Sequence, residues 1–186
     1  MRSILPKDKN PLLRKVAEPV PVADITSSKI RALIKDMKAL LSKEEYGVAL
    51  AAVQVGEPLR LFIVSGKALA RDARNAPDEA VEDADEPEQD PPALPDQIYI
   101  NPELIKLSRG RREKHEGCLS IRGKWGIVPR AEKATIRAYD ETGRRFTRGA
   151  SGFLAHVFQH EMDHLEGILY TDKAKELYDD KPEDKN

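Results

Sequence analysis

Apolar residues recur at Ile30, Leu33, Ile34, Met37, Leu40 and Leu41, the three-and-four spacing of one helical face. This predicts an amphipathic helix over 27–45, with Ser27 as N-cap and Gly47 as the stop. The next stretch, "GVALAAVQVGEP", is small and apolar, with glycine near both ends. "LRLFIVS" (59–65) then has the length and β-branched content of a buried strand. The pattern fails over 66–96, which is rich in Ala, Asp, Glu and Pro and has no periodic apolar face. A solvated, mobile insertion is expected there. Strands resume in "QIYINPELIKLS", bent at Asn101-Pro102, and follow near 112–121, 126–129 and 133–140, with "DETGR" (140–144) as a turn.

A second helix is predicted over about 150–165. Setting residues about 100° apart places Phe153, Val157, His160, Glu161 and His164 in one narrow arc. Leu154 and Leu165 flank the arc on one side and His156 on the other, so the polar residues face the core. Gly167 is placed to close the helix. Strands ahead of a core-facing helix predict an α+β fold, with antiparallel sheets packed around a central helix carrying H-E-x-D-H. One catalytic domain is expected over 1–172, followed by a short charged tail over 173–186.

With 186 residues the chain suits one domain with a real core. Charged residues are 34% of it, mean hydropathy is -0.57, and no apolar run approaches the ~20 residues of a membrane span. The start, "MRSILPKDKNPLLRKVAEPV", lacks the apolar stretch of a secretory signal and carries acids, so a cytoplasmic protein is expected. The net charge of -1 is unevenly spread: "DEAVEDADEPEQD" (78–90) holds eight acids and no base. The basic remainder is read as ordinary surface charge, because no nucleic-acid motif accompanies it. The lone Cys118 cannot form an internal disulfide. It is buried filler, a metal ligand or a nucleophile.

"AHVFQHEMDHLEG" (155–167) decides among these. Its H-E-x-x-H frame aims His160 and His164 at one point and sets Glu161 beside them, the pattern of a metal site. A zinc protease of this kind needs a third ligand further along the chain. The 22 residues after His164 hold no histidine, and their acids lie in a solvated tail. Cys118, in "HEGCLS", is the better third ligand, and a Cys/His/His set leaves a position open for water.

"GVALAAVQ" (47–54), "EGCLS" (116–120) and "QHEMDH" (159–164) together resemble the three ordered motifs of the peptide deformylases. "INPEL" (100–104) and "VPRAEKATIRAYDETG" (128–143) match as well, so the resemblance spans nearly the whole chain outside the insertion. It implies a hydrolase that removes the N-formyl group from the formylmethionine of nascent polypeptides. It implies one metal ion per chain on Cys118, His160 and His164: Fe²⁺ natively, with Zn²⁺, Ni²⁺ or Co²⁺ as substitutes. Glu161 would be general base and then acid, and Gln54 with the N–H of Leu119 would hold the oxyanion. Val48, Ala49, Gly117, Trp125, Phe153, His156 and Val157 would line the substrate, with His156 at the pocket rim. An ion pair between Glu116 and Arg130 and an orienting role for Asp163 are further expectations. Ribosome proximity would be transient, because residues 172–186 set four lysines against six acids rather than forming a basic docking helix. No direct nucleic-acid or membrane contact is implied.

Two departures stand out. Ala49 replaces the second glycine of the family's G-x-G-L-A-A-x-Q; if the backbone there needs positive φ, alanine costs ~1–2 kcal/mol. "RGKWG" (122–126) reads as an exposed loop that places Trp125 at the substrate rim. The alternatives are a relative with altered substrate preference, one that binds metal or peptide without turnover, and a metallopeptidase.

Overall fold

Ser27 opens the first helix, its hydroxyl accepting from the Ile30 N–H at 3.3 Å. The computed structural model describes residues 2–74 and 94–179. Helix α1 (Ser28–Leu41) buries Ile30, Leu33, Ile34, Met37 and Leu41. It stops at Leu41 rather than at 45: the apolar face ends there, and "SKEEY" has nothing further to bury.

Five antiparallel strands form the first sheet: β1 (Ala49–Ala51), β2 (Leu61–Val64), β3 (Gln97–Leu107), β6 (Lys133–Tyr139) and β7 (Arg145–Ser151), in the order β1-β2-β3-β6-β7. A second sheet runs β4-β5-β8, from β4 (Arg111–Cys118), β5 (Ile121–Ala131) and β8 (Glu176–Asp179). The continuous apolar run of β2 follows from burial on both faces. Leu61 and Ile63 pack with the α1 cluster, while Phe62 and Val64 point the other way into the cluster around the C-terminal helix. That helix, α3 (Gly152–Leu165), packs against strands of both sheets. Phe62 stacks on Tyr99 at 4.6 Å between ring centroids, and Phe158 of α3 meets Tyr99 edge-on at 5.2 Å. The predicted α+β arrangement around one central helix is what forms.

Several elements differ from expectation. The start of the insertion folds as helix α2 (Gly66–Arg74), with Ala68, Leu69 and Ala70 buried. The Ser65 hydroxyl caps the Ala68 N–H at 3.2 Å, and Asp96 accepts from the Gly66 N–H at 2.9 Å. Residues 75–93, the rest of the expected insertion, lie outside the described residues. The predicted strand over 112–121 is two strands, β4 and β5, joined at the two-residue turn Leu119-Ser120. β5 runs through "RGKWG", so Trp125 sits in a strand, cross-paired with Tyr178, rather than in a loop. β7 is a half-buried edge strand whose "RFTRGAS" carries little apolar signal. After α3 come the helical turn α4 (Tyr170–Lys173) and then β8, which pairs with Lys124–Ile127 of β5. No described helix is long and apolar enough to cross a membrane.

The expected bend at Asn101-Pro102 is present. Asn101 is the one non-glycine residue at positive φ among those described, and the β3 register shifts there. Its side chain bonds both the N–H and the C=O of Val20, at 2.8 and 2.7 Å, which holds the strained backbone.

Candidate metal centre

One helical turn separates His160 from His164 on α3, and their ring centroids lie 4.9 Å apart. Cys118 arrives from the last position of β4, in the pair with Ile121 that closes the hairpin turn. The three side chains each bring a donor atom within 4.8 Å of the others. Cys118 Sγ stands 3.3 Å from His164 Nε2. Below the histidines, α3 ends with the Ile168 N–H on Asp163 O at 2.9 Å and the Gly167 N–H on His164 O at 3.3 Å. Gly167 is needed there: its φ is +72, and a Cβ would lie 2.9 Å from the Arg14 carbonyl carbon.

Glu116, 3% exposed, organises the surroundings. Its Oε1 accepts from Arg130 Nε at 2.6 Å and its Oε2 from the same guanidinium at 3.0 Å. Oε2 also accepts from His160 Nδ1 at 2.7 Å, and Oε1 lies 2.8 Å from His156 Nε2. Arg130 further donates to Asp163 at 2.7 Å, and Lys173 to the other Asp163 oxygen at 2.6 Å. Burial alone would raise the Glu116 pKa, but bonds from His156, His160 and Arg130 hold it well below the carboxylate range. As a carboxylate it only accepts, so His160 carries its proton on Nδ1 and presents Nε2 to an ion.

The donors suit a cation. Burial would raise the Cys118 thiol, yet the charge of His164 and bonds from both ligand histidines bring it to about 5, so a thiolate is present at neutral pH. Glu161 is 3% exposed, and its Oε2 has no hydrogen-bond partner among the described residues. Burial raises its pKa, partly offset by His160 and His164. A buried carboxyl with a free oxygen beside three convergent donors is costly unless it serves chemistry. One thiolate and two imidazoles fit Fe²⁺ or Zn²⁺.

Gln54 lies on a short 3₁₀ turn (Ala52–Val55). The Ala51 N–H donates to its Oε1 at 2.8 Å, which aims Nε2 at Ser120 Oγ (3.3 Å) and Cys118 Sγ (3.5 Å). The N-terminal segment ties these loops together. Leu5 N–H bonds Gln54 O and Lys7 N–H bonds Ser120 O, both at 2.9 Å, and Asn10 bonds Val53 O at 2.8 Å. Leu119 follows Cys118 in the hairpin turn, with its side chain against the α1 cluster.

The remaining sequence-derived positions divide. Val48 and Phe153 are partly buried against the core around α3, and Val157 belongs to that core. The Trp125 ring covers Gly117, where a Cβ would lie 3.2 Å away, and is itself 37% exposed. Ala49 pairs with Val64 in β1 without positive φ, so the anticipated backbone strain is absent. The His156 side chain is 12% exposed, and its Nε2 lies 2.8 Å from Glu116 Oε1. Arg71, Asp72 and Ser120 were not singled out in the sequence. Arg71 lies 4.8 Å over the Phe153 ring, and Asp72 accepts from the Leu154 N–H at 3.1 Å, capping α3 from α2. Only Ser120, inside "EGCLS", carried a local signal.

Three convergent protein donors able to hold a metal ion, with an unpaired carboxyl beside them, give this α+β scaffold the donor set of a metal-dependent hydrolase. The sequence profile of the family described as Polypeptide deformylase matches residues 1–180. A peptide deformylase of Symbiobacterium thermophilum is 40% identical over 173 residues, covering 92% of this chain and 66% of that protein. Peptide deformylase 2 of Clostridium acetobutylicum is 35% identical over 89% of this chain and 90% of its own length. The crystal structure of a peptide deformylase from Legionella pneumophila superposes with a TM-score of 0.73 at 31% identity, covering 94% of this chain and 86% of that one. The chain belongs to the polypeptide deformylase family.

Proposed function

We propose that this chain is a metal-dependent hydrolase that removes the N-formyl group from the terminal formylmethionine of nascent polypeptides and releases formate. The observation that carries this reading is the meeting of Cys118, His160 and His164 within 4.8 Å, beside the buried, unpaired Oε2 of Glu161. Cys118 Sγ, His160 Nε2 and His164 Nε2 would hold one Fe²⁺, and Zn²⁺, Ni²⁺ or Co²⁺ would fit the same thiolate–imidazole set. When bound, the ion polarises a carbonyl and makes water acidic near neutral pH.

Glu161, its pKa raised by burial, accepts the proton of the attacking water and passes it to the leaving amine. Gln54 Nε2, aimed by the Ala51 N–H, and the backbone N–H of Leu119 donate to the formyl oxygen as charge grows on it. β1 and β4 are edge strands, so Ala49 and Gly117 offer backbone groups to an extended peptide, with Val48 beside them. Phe153 and Val157 supply an apolar wall for the methionine side chain, and Trp125 stands at its margin. The substrate places the protein in the cytoplasm, in transient reach of the ribosome. Residues Glu176–Asp179 of its tail form β8 against β5.

The test is formate release from formyl-Met-Ala-Ser by the Fe²⁺- or Co²⁺-loaded protein. Glu161→Gln is expected to keep the ion and lose about 10²–10⁴-fold in kcat. No formate from the loaded wild type refutes the function. Undiminished turnover in the variant refutes the role given to Glu161.

A further inference from the structure

His156 sits one turn ahead of His160 on α3, and both rings reach the same carboxylate on β4. His156 Nε2 lies 2.8 Å from Glu116 Oε1, and His160 Nδ1 lies 2.7 Å from Glu116 Oε2. Arg130 adds one bond to each oxygen, at 2.6 and 3.0 Å. Each oxygen therefore has two nitrogens within 3.0 Å, one from the guanidinium and one from a histidine. A carboxylate held by the fork alone can still slide or tilt against Arg130. The second histidine removes that freedom, because any tilt that shortens one histidine bond lengthens the other. The pair also divides the negative charge of Glu116 between two rings, which limits how strongly Oε2 polarises the ring of His160.

We infer that His156 is a positioning residue of the metal centre, acting through Glu116 on the orientation and donor strength of His160. The inference rests on the reading of Cys118, His160 and His164 as the ligands. A substrate-contacting role fits the geometry poorly: the side chain is 12% exposed, and its Nε2 is already engaged by a carboxylate that is 1% exposed. A role in packing alone makes no use of that bond, and leucine would serve it equally well.

Two variants separate these roles. His156→Leu keeps the volume and deletes the donor, while His156→Gln returns an N–H at the place of Nε2. Each is loaded with Co²⁺ and compared with the wild type by visible absorption, thermal unfolding and kinetics on formyl-Met-Ala-Ser. The expected result for His156→Leu is a shifted Co²⁺ spectrum and a kcat lowered about 10–100-fold, with KM held within about twofold. His156→Gln should return both spectrum and kcat toward wild type. A wild-type spectrum and kcat in the leucine variant overturn the inference. So does a raised KM with an unchanged spectrum, which assigns His156 to the substrate instead. A glutamine variant as defective as the leucine one overturns it too. If the wild type itself fails to bind Co²⁺, the ligand assignment falls and this inference falls with it.

Discussion

Replacing Arg130 with methionine tests the core of the site most severely. Arg130 is 3% exposed. It makes three charged bonds, at 2.6 and 3.0 Å to Glu116 and at 2.7 Å to Asp163. Methionine fills much of the space and leaves both carboxylates in place. Glu116 then keeps only His156 and His160, and Asp163 keeps Lys173. Breaking a buried ion pair from one side costs about 3–5 kcal/mol, because the remaining charge stays desolvated. For a chain of this size, about 2–4 °C per kcal/mol puts the unfolding midpoint about 6–20 °C below wild type. The assay is thermal and urea unfolding of the metal-free protein at neutral pH, so that ion binding does not mask the loss. The pH dependence adds a sign. Glu116 has a folded-state pKa held below its ordinary value of 4.5, so its contribution is present above that value and fades as pH falls below it. The variant, with less to lose, should show a shallower decline in acid. Arg130→Lys should fall between the two, since one ammonium cannot bridge both Glu116 oxygens and Asp163 together. A methionine variant within about 1 kcal/mol of wild type would refute the reasoning that the carboxylates left buried by the loss of Arg130 stay desolvated.

Two further outcomes follow from the same contacts. Gln54→Ala should lower kcat about 10²–10³-fold with little change in metal content, read by steady-state kinetics and metal analysis. Asp72→Ala removes the cap that α2 places on the Leu154 N–H and should cost about 1 kcal/mol of stability in thermal unfolding.

The legible parts of this chain were those governed by local spacing. His160, Glu161 and His164 share a face because helix geometry leaves no alternative. Ser27 and Gly167 act as caps because those residue types answer local backbone needs. Cys118 could be nominated as a third ligand because the chain holds no other cysteine and no histidine follows His164. Less legible were short elements that are stable only on a partner. Helix α2 is nine residues with little intrinsic stability, and it forms against α3 and over Ser65 and Asp96. β8 is four exposed residues and exists because β5 offers it an edge.

His156 shows the limit most clearly. On a helical wheel it lies at the margin of the metal-facing arc, which reads as a pocket rim. Its partner is Glu116, 40 positions earlier on another element, and no local periodicity encodes that meeting. By itself the sequence determined the family, the core-facing helix and the donor types, because motif order and helical spacing are properties of the chain alone. Only the tertiary structure decided how a single buried carboxylate is shared among Arg130, His156 and His160. Hydrogen bonds act over about 3 Å, and folding alone brings groups so far apart in sequence within that range.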